Sequence, residues 1–535
     1  MRALCSVAQV RAAERAAIAG GAPEPELMLR AGSGVAELLA AVAHSPGRAL
    51  ILVGPGNNGG DGLVAAARLA QLGWHCVIWS FRRPGVAGAP VDPAVVARFR
   101  WFNAIEELRA AVTQADLVLD AVFGIGGRPG LPDAVVAAFT VVQEERRRRG
   151  VPLWALDIPS GVDADTGAVA EGALIADATV MVGLAKLGLY RAPALRHAGR
   201  LWLVEIGLGE PDDAAVNPEV VTPADAARLL PRRPRDAHKH GVGSLLVVGG
   251  APNYYGAPRM AAEAALRAGA GLVALAVPNS LIAPIATGLP ETTFVPLPED
   301  DAAVRADAVR GVMARYSALL IGPGLGRADA TSEFLARLFG FGNGAPADTA
   351  PFSSRAVIDA DGLNWLAGRP EWPERLAGAR LVLTPHPGEM ARLSGRPLAE
   401  IEADPWRAAR EAAERFGQVV VLKLAHAVVA APGRRLVLAP QSEPALASAG
   451  TGDVLAGTIA GLLAQGLDPW EAAVTGVMLG SAAAERAVAR TGTLGLIAGD
   501  VIAELAPATR RLYDPHWRRM GEEDTWPSTW TWNGS

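Results

Sequence analysis

The chain has 535 residues, half of them hydrophobic and a fifth charged, with a formal net charge of −5. That length predicts two or three domains with sizeable cores, and that balance excludes a chain disordered overall and gives no reason to expect nucleic acid as a partner. Only two cysteines are present, Cys5 and Cys76, which excludes a disulfide framework or a Cys-based zinc site and fits a reducing cytoplasm.

In chain order, the N-terminus MRALCSVAQVRAAERAA shows an amphipathic helix pattern broken by charge and lacks the apolar core of a signal peptide. An α/β block follows to about Gly209. Its predicted strands are Ala49–Val53, His75–Ser80, Leu117–Asp120, Leu153–Asp157, Ala178–Val182 and Leu201–Glu205, with helical patterns between them such as Leu63–Leu72. The basic run Arg146 to Arg149 reads as the solvated C-terminal turn of a helix. Glu210–Pro223 is acidic, proline-bearing and aperiodic, and marks a linker. A second α/β block has predicted strands at Ser244–Val248, Leu272–Val277, Ala318–Gly322, Ala356–Asp359, Leu381–Thr384 and Val419–Lys423. Its long helices are predicted at Ala257–Ala268, Asp453–Gln465 and Trp470–Ala489. The uncharged stretch Ala268–Pro290 is broken by Pro278, Asn279 and Pro284, so it reads as strand, turn and helix rather than a membrane span. The tail beyond Tyr513 carries four of the 13 tryptophans and is expected to be poorly ordered or docked on another surface. The expected organisation is thus a domain over 1–209, a linker over 210–221, a domain over 222–513 and a tail over 514–535.

Within the first block, the strand Ala49–Val53 runs into GPGNNGGDG, Gly54 to Gly62, and then into a helix. Glycines let backbone N–H groups approach a ligand, and the helix N-terminus adds partial positive charge, so this is a phosphate-binding turn at a strand's C-terminal end. The spacing is neither GxGxxG nor a Walker motif; a purely structural tight turn is the alternative. Two more strand ends carry polar sets, DAVFGIG from Asp120 to Gly126 and DIPSGVDADTG from Asp157 to Gly167. If the strands are neighbours, Asn58, Asp120 and Ser160 converge as hard oxygen ligands suited to an alkali or alkaline-earth cation. Asp157 is then the candidate proton-transfer group and Lys186 the second, against a capping role for each aspartate and a surface position for the lysine.

These three motifs resemble the NAD(P)H-hydrate epimerase family over essentially all of residues 1–209. The resemblance implies that Asn57, Asn58, Gly59, Gly60 and Asp61, together with Gly124, Ile125, Gly126, Gly127, Arg128, Pro129 and Gly130, hold the substrate. It also implies that Asn58, Asp120 and Ser160 bind potassium and that Asp157 contacts the substrate. Ile125 departs from the family's usual Thr. The chemistry required is inversion at the hydrated nicotinamide carbon, which needs an acid or base near the ring.

In the second block, AGTGDVLAG from Ala449 to Gly457 opens a long apolar helix. Gly450, Thr451 and Gly452 can aim N–H groups into an anion hole, and Asp453 beside it can take a proton from a hydroxyl attacking a phosphoryl group; a helix N-cap is the alternative for Asp453. TPHPGEM, Thr384 to Met390, places His386 between two prolines after a strand, suited to a ligand contact, and Glu389 is a candidate for holding magnesium through water. GPGLG (Gly322 to Gly326), the carboxylates of DADGLN (Asp359 to Asn364) and Lys423 stand at further strand ends.

This set is similar to the ribokinase-like superfamily, and more closely to its ADP-dependent NAD(P)H-hydrate dehydratase branch, over roughly Thr222–Tyr513. The resemblance implies that Ala257, Gly326, His386, Pro387, Gly388, Glu389, Met390 and Asp453 contact the hydrated nucleotide. It implies ADP contacts from Lys423, Leu424, Ala425, His426 and Ala427, and from Glu443 to Gly452, which includes Ala449, Gly450 and Thr451. Magnesium accompanies the diphosphate. The loop Lys423–Ala427 departs from the family's Lys-Gly-x-x-Thr, and Ala449 stands where a Gly is common. The expected whole is an α/β protein of two domains, a Rossmann-like three-layer sandwich and a ribokinase-like domain. Its expected work is to epimerise the R and S hydrates of NADH and NADPH and to dehydrate the S form with ADP, leaving AMP and phosphate. The chain is further expected to be cytoplasmic, from its cysteines, and to form a homo-oligomer without membrane or nucleic-acid partners. The rival reading is a small-molecule kinase with a nucleotide-binding regulatory first domain.

Overall fold

The computed structural model describes residues 1–82, 88–126, 130–238, 241–299, 301–341, 352–513 and 530–531. Arg2–Asn217 form one compact unit, and Pro218 onward forms the body of another.

In the first unit, seven strands lie parallel in the order Arg100–Phe102, His75–Ser80, Arg48–Val53, Leu117–Ala121, Leu153–Leu156, Ala178–Val182 and Arg200–Glu205. The inner strands are runs of Leu, Ile and Val because both faces are covered. Ile51 and Val53 pack to one side, with Leu27 to Leu39 of the helix Glu24–Ala43 and Leu63 to Leu69 of the helix Asn57–Gln71. Leu50 and Leu52 pack to the other, with Leu108 and Val112 of Ile105–Gln114 and Val135 to Val142 of Asp133–Arg149. This is the three-layer sandwich expected, and each fully buried Leu or Ile contributes about 1.5–3 kcal/mol. The chain's first sheet strand, Arg48–Val53, lies centrally; the next two go to one side and the later ones to the other. That reversal opens a crevice outside the C-terminal ends of Arg48–Val53 and Leu117–Ala121, where such sheets take ligands.

The second unit repeats this plan. Ser244–Val248 is central, Leu272–Pro278 and Thr293–Leu297 lie to one side, and Ala318–Ile321, Arg355–Ile358, Arg380–Leu383 and Val419–Leu422 to the other, all parallel. An antiparallel hairpin, Val428–Ala430 and Val437–Leu438, extends that edge. The helix Thr451–Ala464 crosses Gly256–Arg267 so closely that a Cβ on Gly457 would stand 2.1 Å from the Ala261 carbonyl oxygen.

Five predicted strands end one residue early. Asp157, Gly322, Asp359, Thr384 and Lys423 all stand just past the last strand residue. Each still donates its N–H to a neighbouring carbonyl, but the chain there turns away, with φ +68° at Asp157 and +130° at Gly322. The linker region is not featureless: Asp212–Val216 form a 3-10 turn and Glu219–Val220 pair with Val437–Leu438. In the basic run, the Arg146 guanidinium is not solvated; it donates to Ile175 O at 2.9 Å and pairs with Asp177. Ala268–Pro290 forms the strand Leu272–Pro278 and the helix Asn279–Gly288, and no described helix is long and apolar enough to cross a membrane. Trp530–Thr531 pair in parallel with Val204–Glu205; the rest of the tail lies outside the described residues.

Candidate functional site

In the first unit, the helix Asn57–Gln71 starts at Gly56 without a side-chain cap, which leaves its first N–H groups facing the crevice. Its glycines serve packing more than positive φ. A Cβ on Gly54 would stand 1.9 Å from Val122 O, and one on Gly59 2.0 Å from Gly54 O. The turn is therefore tight because three backbone segments meet there, and the uncapped helix end is what it offers a ligand.

Asn58, Asp120 and Ser160 do converge. Asp120 is completely buried, and its carboxylate accepts from Ser160 Oγ at 2.7 Å, Ser160 N at 2.8 Å and Val122 N at 3.2 Å. Ser160 Oγ accepts from Phe123 N at 2.8 Å. Asn58 lies against Gly124, whose Cβ would be 3.2 Å from Asn58 Oδ1, and among the described residues the buried Asn58 Nδ2 has no hydrogen-bond partner. Burial raises the Asp120 carboxyl to about 6 despite those donors. The buried Asp120 carboxylate, with Ser160 Oγ and Asn58 Oδ1 beside the same loop, offers the oxygen donors that a bound cation takes, whereas Asn58 Nδ2 is a donor that a cation does not satisfy.

Asp157 and Lys186 form a buried ion pair, with Lys186 only 1% exposed. The Lys186 ammonium also donates to Val182 O, and Asp157 Oδ1 accepts from Val182 N at 3.1 Å. The surface reading of Lys186 is thus overturned. Asp157 holds a left-handed backbone conformation that costs a non-glycine residue about 1–3 kcal/mol and is characteristic of functional sites. Further along the same motif, Asp163 is a turn residue; its carboxyl is held below the usual range first by the Thr166 N–H. Ile125 is half-buried against the cluster of Val10, Ala13 and Leu184. Gly127, Arg128 and Pro129 lie outside the described residues; Gly130 follows them with φ +86°.

In the second unit, Gly450 (φ +88°) precedes the helix Thr451–Ala464 and is its cap, so Asp453 stands in the first turn rather than at the N-cap. Thr451 is turned back: its N–H reaches Ser448 O at 3.4 Å and its hydroxyl donates to Leu446 O at 2.7 Å. With Thr451 turned back, an anion at this helix start would be met by the N–H groups of Gly452 and Asp453, a shift from the expected Gly450–Gly452 set. Burial first, then Asp359, raise the Asp453 carboxyl to about 7, against the lowering effect of Lys423.

Lys423 joins the strand ends. Its Nζ is 2.8 Å from Asp359 Oδ1 and 3.8 Å from Glu389 Oε2, and Thr384 Oγ1 donates to the same Asp359 oxygen at 2.8 Å. Burial favours the neutral amine, but Asp359, Glu389 and Asp453 outweigh it and hold the ammonium charged. Gly326 N donates to Asp361 Oδ2 at 2.8 Å, and a Cβ on Gly324 would be 3.3 Å from the Ala257 Cβ, so these residues gather at the sheet's crossover.

His386 caps its own helix, Pro387–Ser394: Nδ1 accepts from Gly388 N at 3.0 Å and Glu389 N at 3.4 Å. The proton therefore sits on Nε2, and burial, Lys423 and Arg392 keep the ring neutral by lowering its pKa. Glu389 is buried, accepts from His386 N at 2.9 Å, and its carboxyl is raised chiefly by burial. That commitment does not fit a magnesium ligand, and among the described residues no three His, Cys, Asp or Glu side chains could hold a metal. Met390 is completely buried, so its side chain packs the core instead of meeting a ligand. His426 is 4% exposed, with Nδ1 2.8 Å from Ala439 O and its pKa lowered to about 4 by burial; its ring pins the hairpin. Leu424 and Ala427 are half-buried, and Ala425 and Ala449 are exposed. Sequence reasoning left Thr384 and Asn364, which accepts from Arg392 Nε at 2.9 Å, without a role. It also gave no role to the helix Val7–Ala19. The polar residues of that helix were a visible signal.

Two parallel sheets, each with polar strand ends and an uncapped or glycine-capped helix at its crossover, define a double-headed α/β enzyme. A family model described as NAD(P)H-hydrate dehydratase matches residues 245–507, and one described as YjeF-related protein N-terminus matches residues 24–188. The bifunctional NAD(P)H-hydrate repair enzyme of Salinibacter ruber is 38% identical over 90% of this chain and 91% of its own. That of Escherichia coli is 34% identical over 90% and 88%. An ADP/ATP-dependent NAD(P)H-hydrate dehydratase from Bacillus subtilis, co-crystallised with ATP and Mg2+, matches with TM-score 0.47 and 28% identity, covering 56% of this chain and 100% of that one. The chain belongs to the family of bifunctional NAD(P)H-hydrate repair enzymes.

Proposed function

We propose that the first unit interconverts the R and S hydrates of NADH and NADPH, and that the second dehydrates the S hydrate with ADP, giving NAD(P)H, AMP and phosphate. Residues 1–209 and 222–513 are the two working domains. In the first, the N-terminus of Asn57–Gln71 and the Gly124–Gly130 loop hold the nucleotide, and Asp157, paired with Lys186, moves protons at the ring. Potassium fits Asn58, Asp120 and Ser160, where it would neutralise the buried Asp120 and stiffen the junction of the two loops.

In the second, Asp453 takes the proton of the ring hydroxyl as it attacks the β-phosphoryl of ADP. The N–H groups of Gly452 and Asp453 and the Lys423 ammonium stabilise the phosphoryl oxygens. His386 offers its Nε2–H to the hydrated nucleotide. Magnesium would travel with the diphosphate, since the carboxylates here are already engaged by Lys423 and backbone. The carrying observation is the place of Asp453: beside an anion hole, released from capping, and poised near neutral pH. Both cysteines are free and buried, in keeping with a cytoplasmic enzyme. The test is incubation with chemically hydrated NADH and either ADP or ATP, following absorbance of regenerated NADH. Stable phosphorylation of an alcohol without release of phosphate would favour the kinase reading instead.

A further inference from the structure

We propose that Glu14, on the helix Val7–Ala19, is the second proton-transfer group of the epimerase site, serving the face of the nicotinamide ring opposite Asp157. The proposal rests on the epimerase reading above. Inversion at the hydrated carbon can run by opening and reclosing the ring, or by loss of the hydroxyl from one face and its return to the other; Glu14 serves the second route, which the 18O experiment below distinguishes from the first. A single carboxylate fixed by Lys186 at a strand end addresses one face only. A second group is needed on another element, and the motif residues supply none.

The structure brings one there. Ser6 and Gln9 close the helix start in a capping box, and Val7 N donates to Asp165 Oδ1 at 2.7 Å, so the DIPSGVDADTG segment itself holds the helix in place. The short strand before it pairs Cys5 with Lys186. Val10 and Ala13 are buried against Leu184, with Ile125 packed beside them. This leaves the neighbouring positions 11 and 14 toward the crevice. Arg11 reaches Gly126, its Nη2 lying 3.7 Å from where a Cβ would stand.

Glu14 is half-buried and, among the described residues, makes no hydrogen bond or ion pair. The charged groups near enough to act on it are Lys186 and Asp157, Arg11 on its own helix, and Glu24, which accepts from Asn57 Nδ2 at 2.8 Å. It thus stands near both the proton-transfer pair and the cradle. Burial, the largest influence, raises its carboxyl above the usual range, which suits an acid at near-neutral pH.

The step balances. Glu14 protonates the departing hydroxyl, the C–O bond breaks, and water leaves while the ring nitrogen lone pair stabilises the carbon. A water on the Asp157 side forms the new C–O bond and passes its proton to Asp157. Nothing is oxidised or reduced; one proton has moved between carboxyls, and the opposite epimerisation or exchange with solvent resets it.

The test uses the full chain with potassium, ADP and the purified R hydrate, whose conversion to NADH requires epimerisation first. Glu14→Gln is expected to slow R-hydrate conversion by about 100-fold or more, to abolish the loss of rate toward high pH, and to leave dehydration of the S hydrate at the wild-type rate. Glu14→Asp should recover part of the rate and the high-pH limb. In H2 18O, wild-type S hydrate recovered without ADP should carry the label in its hydroxyl. Normal R-hydrate conversion by Glu14→Gln, or slowed conversion with the high-pH limb intact, overturns the proposal. S-hydrate dehydration on the same chain controls for folding. If the wild type converts the R hydrate no faster than solution does, the epimerase reading itself has failed.

Discussion

The Lys423 ammonium lies 2.8 Å from Asp359 Oδ1, and its Nζ is 3.5 Å from where a Cβ on Gly452 would stand. One half-buried cation therefore ties the ends of three strands to the N-terminus of the helix that carries Asp453. Its removal would leave Asp359, Glu389 and Asp453 facing one another in a poorly solvated site. The pair is thus a means of setting how readily Asp453 gives up its proton, as well as a contact for phosphate.

That relation predicts a pH dependence. Asp453 acts as a base, so dehydration should fall as pH drops through about 7, where its carboxyl protonates. Asp359→Asn removes the largest charge that raises it, so the falling limb should move to lower pH. Asp453→Asn should cost at least about 100-fold in NADH formation and leave epimerisation intact. The profile at saturating ADP decides: an unmoved limb in Asp359→Asn means that Asp453 is not the group titrating.

The Asp157–Lys186 pair predicts a stability effect. Lys186→Met strands a buried carboxylate, which costs about 3–5 kcal/mol when one partner of such a pair is removed. Lys186→Met combined with Asp157→Asn should recover much of that loss while epimerisation stays absent. Urea unfolding of the wild type and the two variants measures it, and a double variant no more stable than Lys186→Met alone would show that the two groups are not coupled.

The cation site predicts specificity for potassium. Replacing KCl by tetramethylammonium chloride at equal ionic strength should lower the melting temperature and slow epimerisation at pH 8. The difference should shrink below about pH 6, where Asp120 is protonated in the absence of a cation. Asp120→Asn should abolish it. Equal melting curves in both salts at pH 8 would remove the basis for assigning potassium.

Much of this was visible in the residues. Runs such as Leu50 to Val53 and Val419 to Leu422 announce strands covered on both faces, and glycine-rich polar segments after them announce the site. What period and propensity do not carry is the partner of a side chain. Lys186 reads equally as a second proton-transfer candidate and as a surface lysine until the fold buries it beside Asp157. His426 reads as a ligand until the hairpin Val428–Ala430 and Val437–Leu438, too short for its pattern to stand out, closes over its ring. Glu14 lies about 140 residues from Asp157 and becomes part of the site only because the short strand Arg2–Cys5 is carried back to Ala185–Lys186.

Leu424 and Ala427 stand where the family's pattern has Gly and Thr. A bonded hydroxyl is lost at 427, and a side chain is added at 424 where the backbone would approach ADP. A hydrogen bond to a charged group is worth about 1.5–3 kcal/mol, or about one to two decades in affinity. His426 is the neighbour nearest in sequence that could replace it, but its ring is buried and committed to Ala439 O, so it offers no compensating contact. Restoring both residues, Leu424→Gly with Ala427→Thr, should therefore lower the half-saturating ADP concentration by about tenfold or more. Turnover at saturating ADP should change little, because Asp453, Lys423 and the Gly452 N–H are untouched. Ala427→Thr alone isolates the hydroxyl from any loosening caused by the glycine. Half-saturation constants measured for the three proteins against one S-hydrate preparation decide the matter, and an unchanged or higher constant in both restored forms would mean that this chain holds ADP by other contacts.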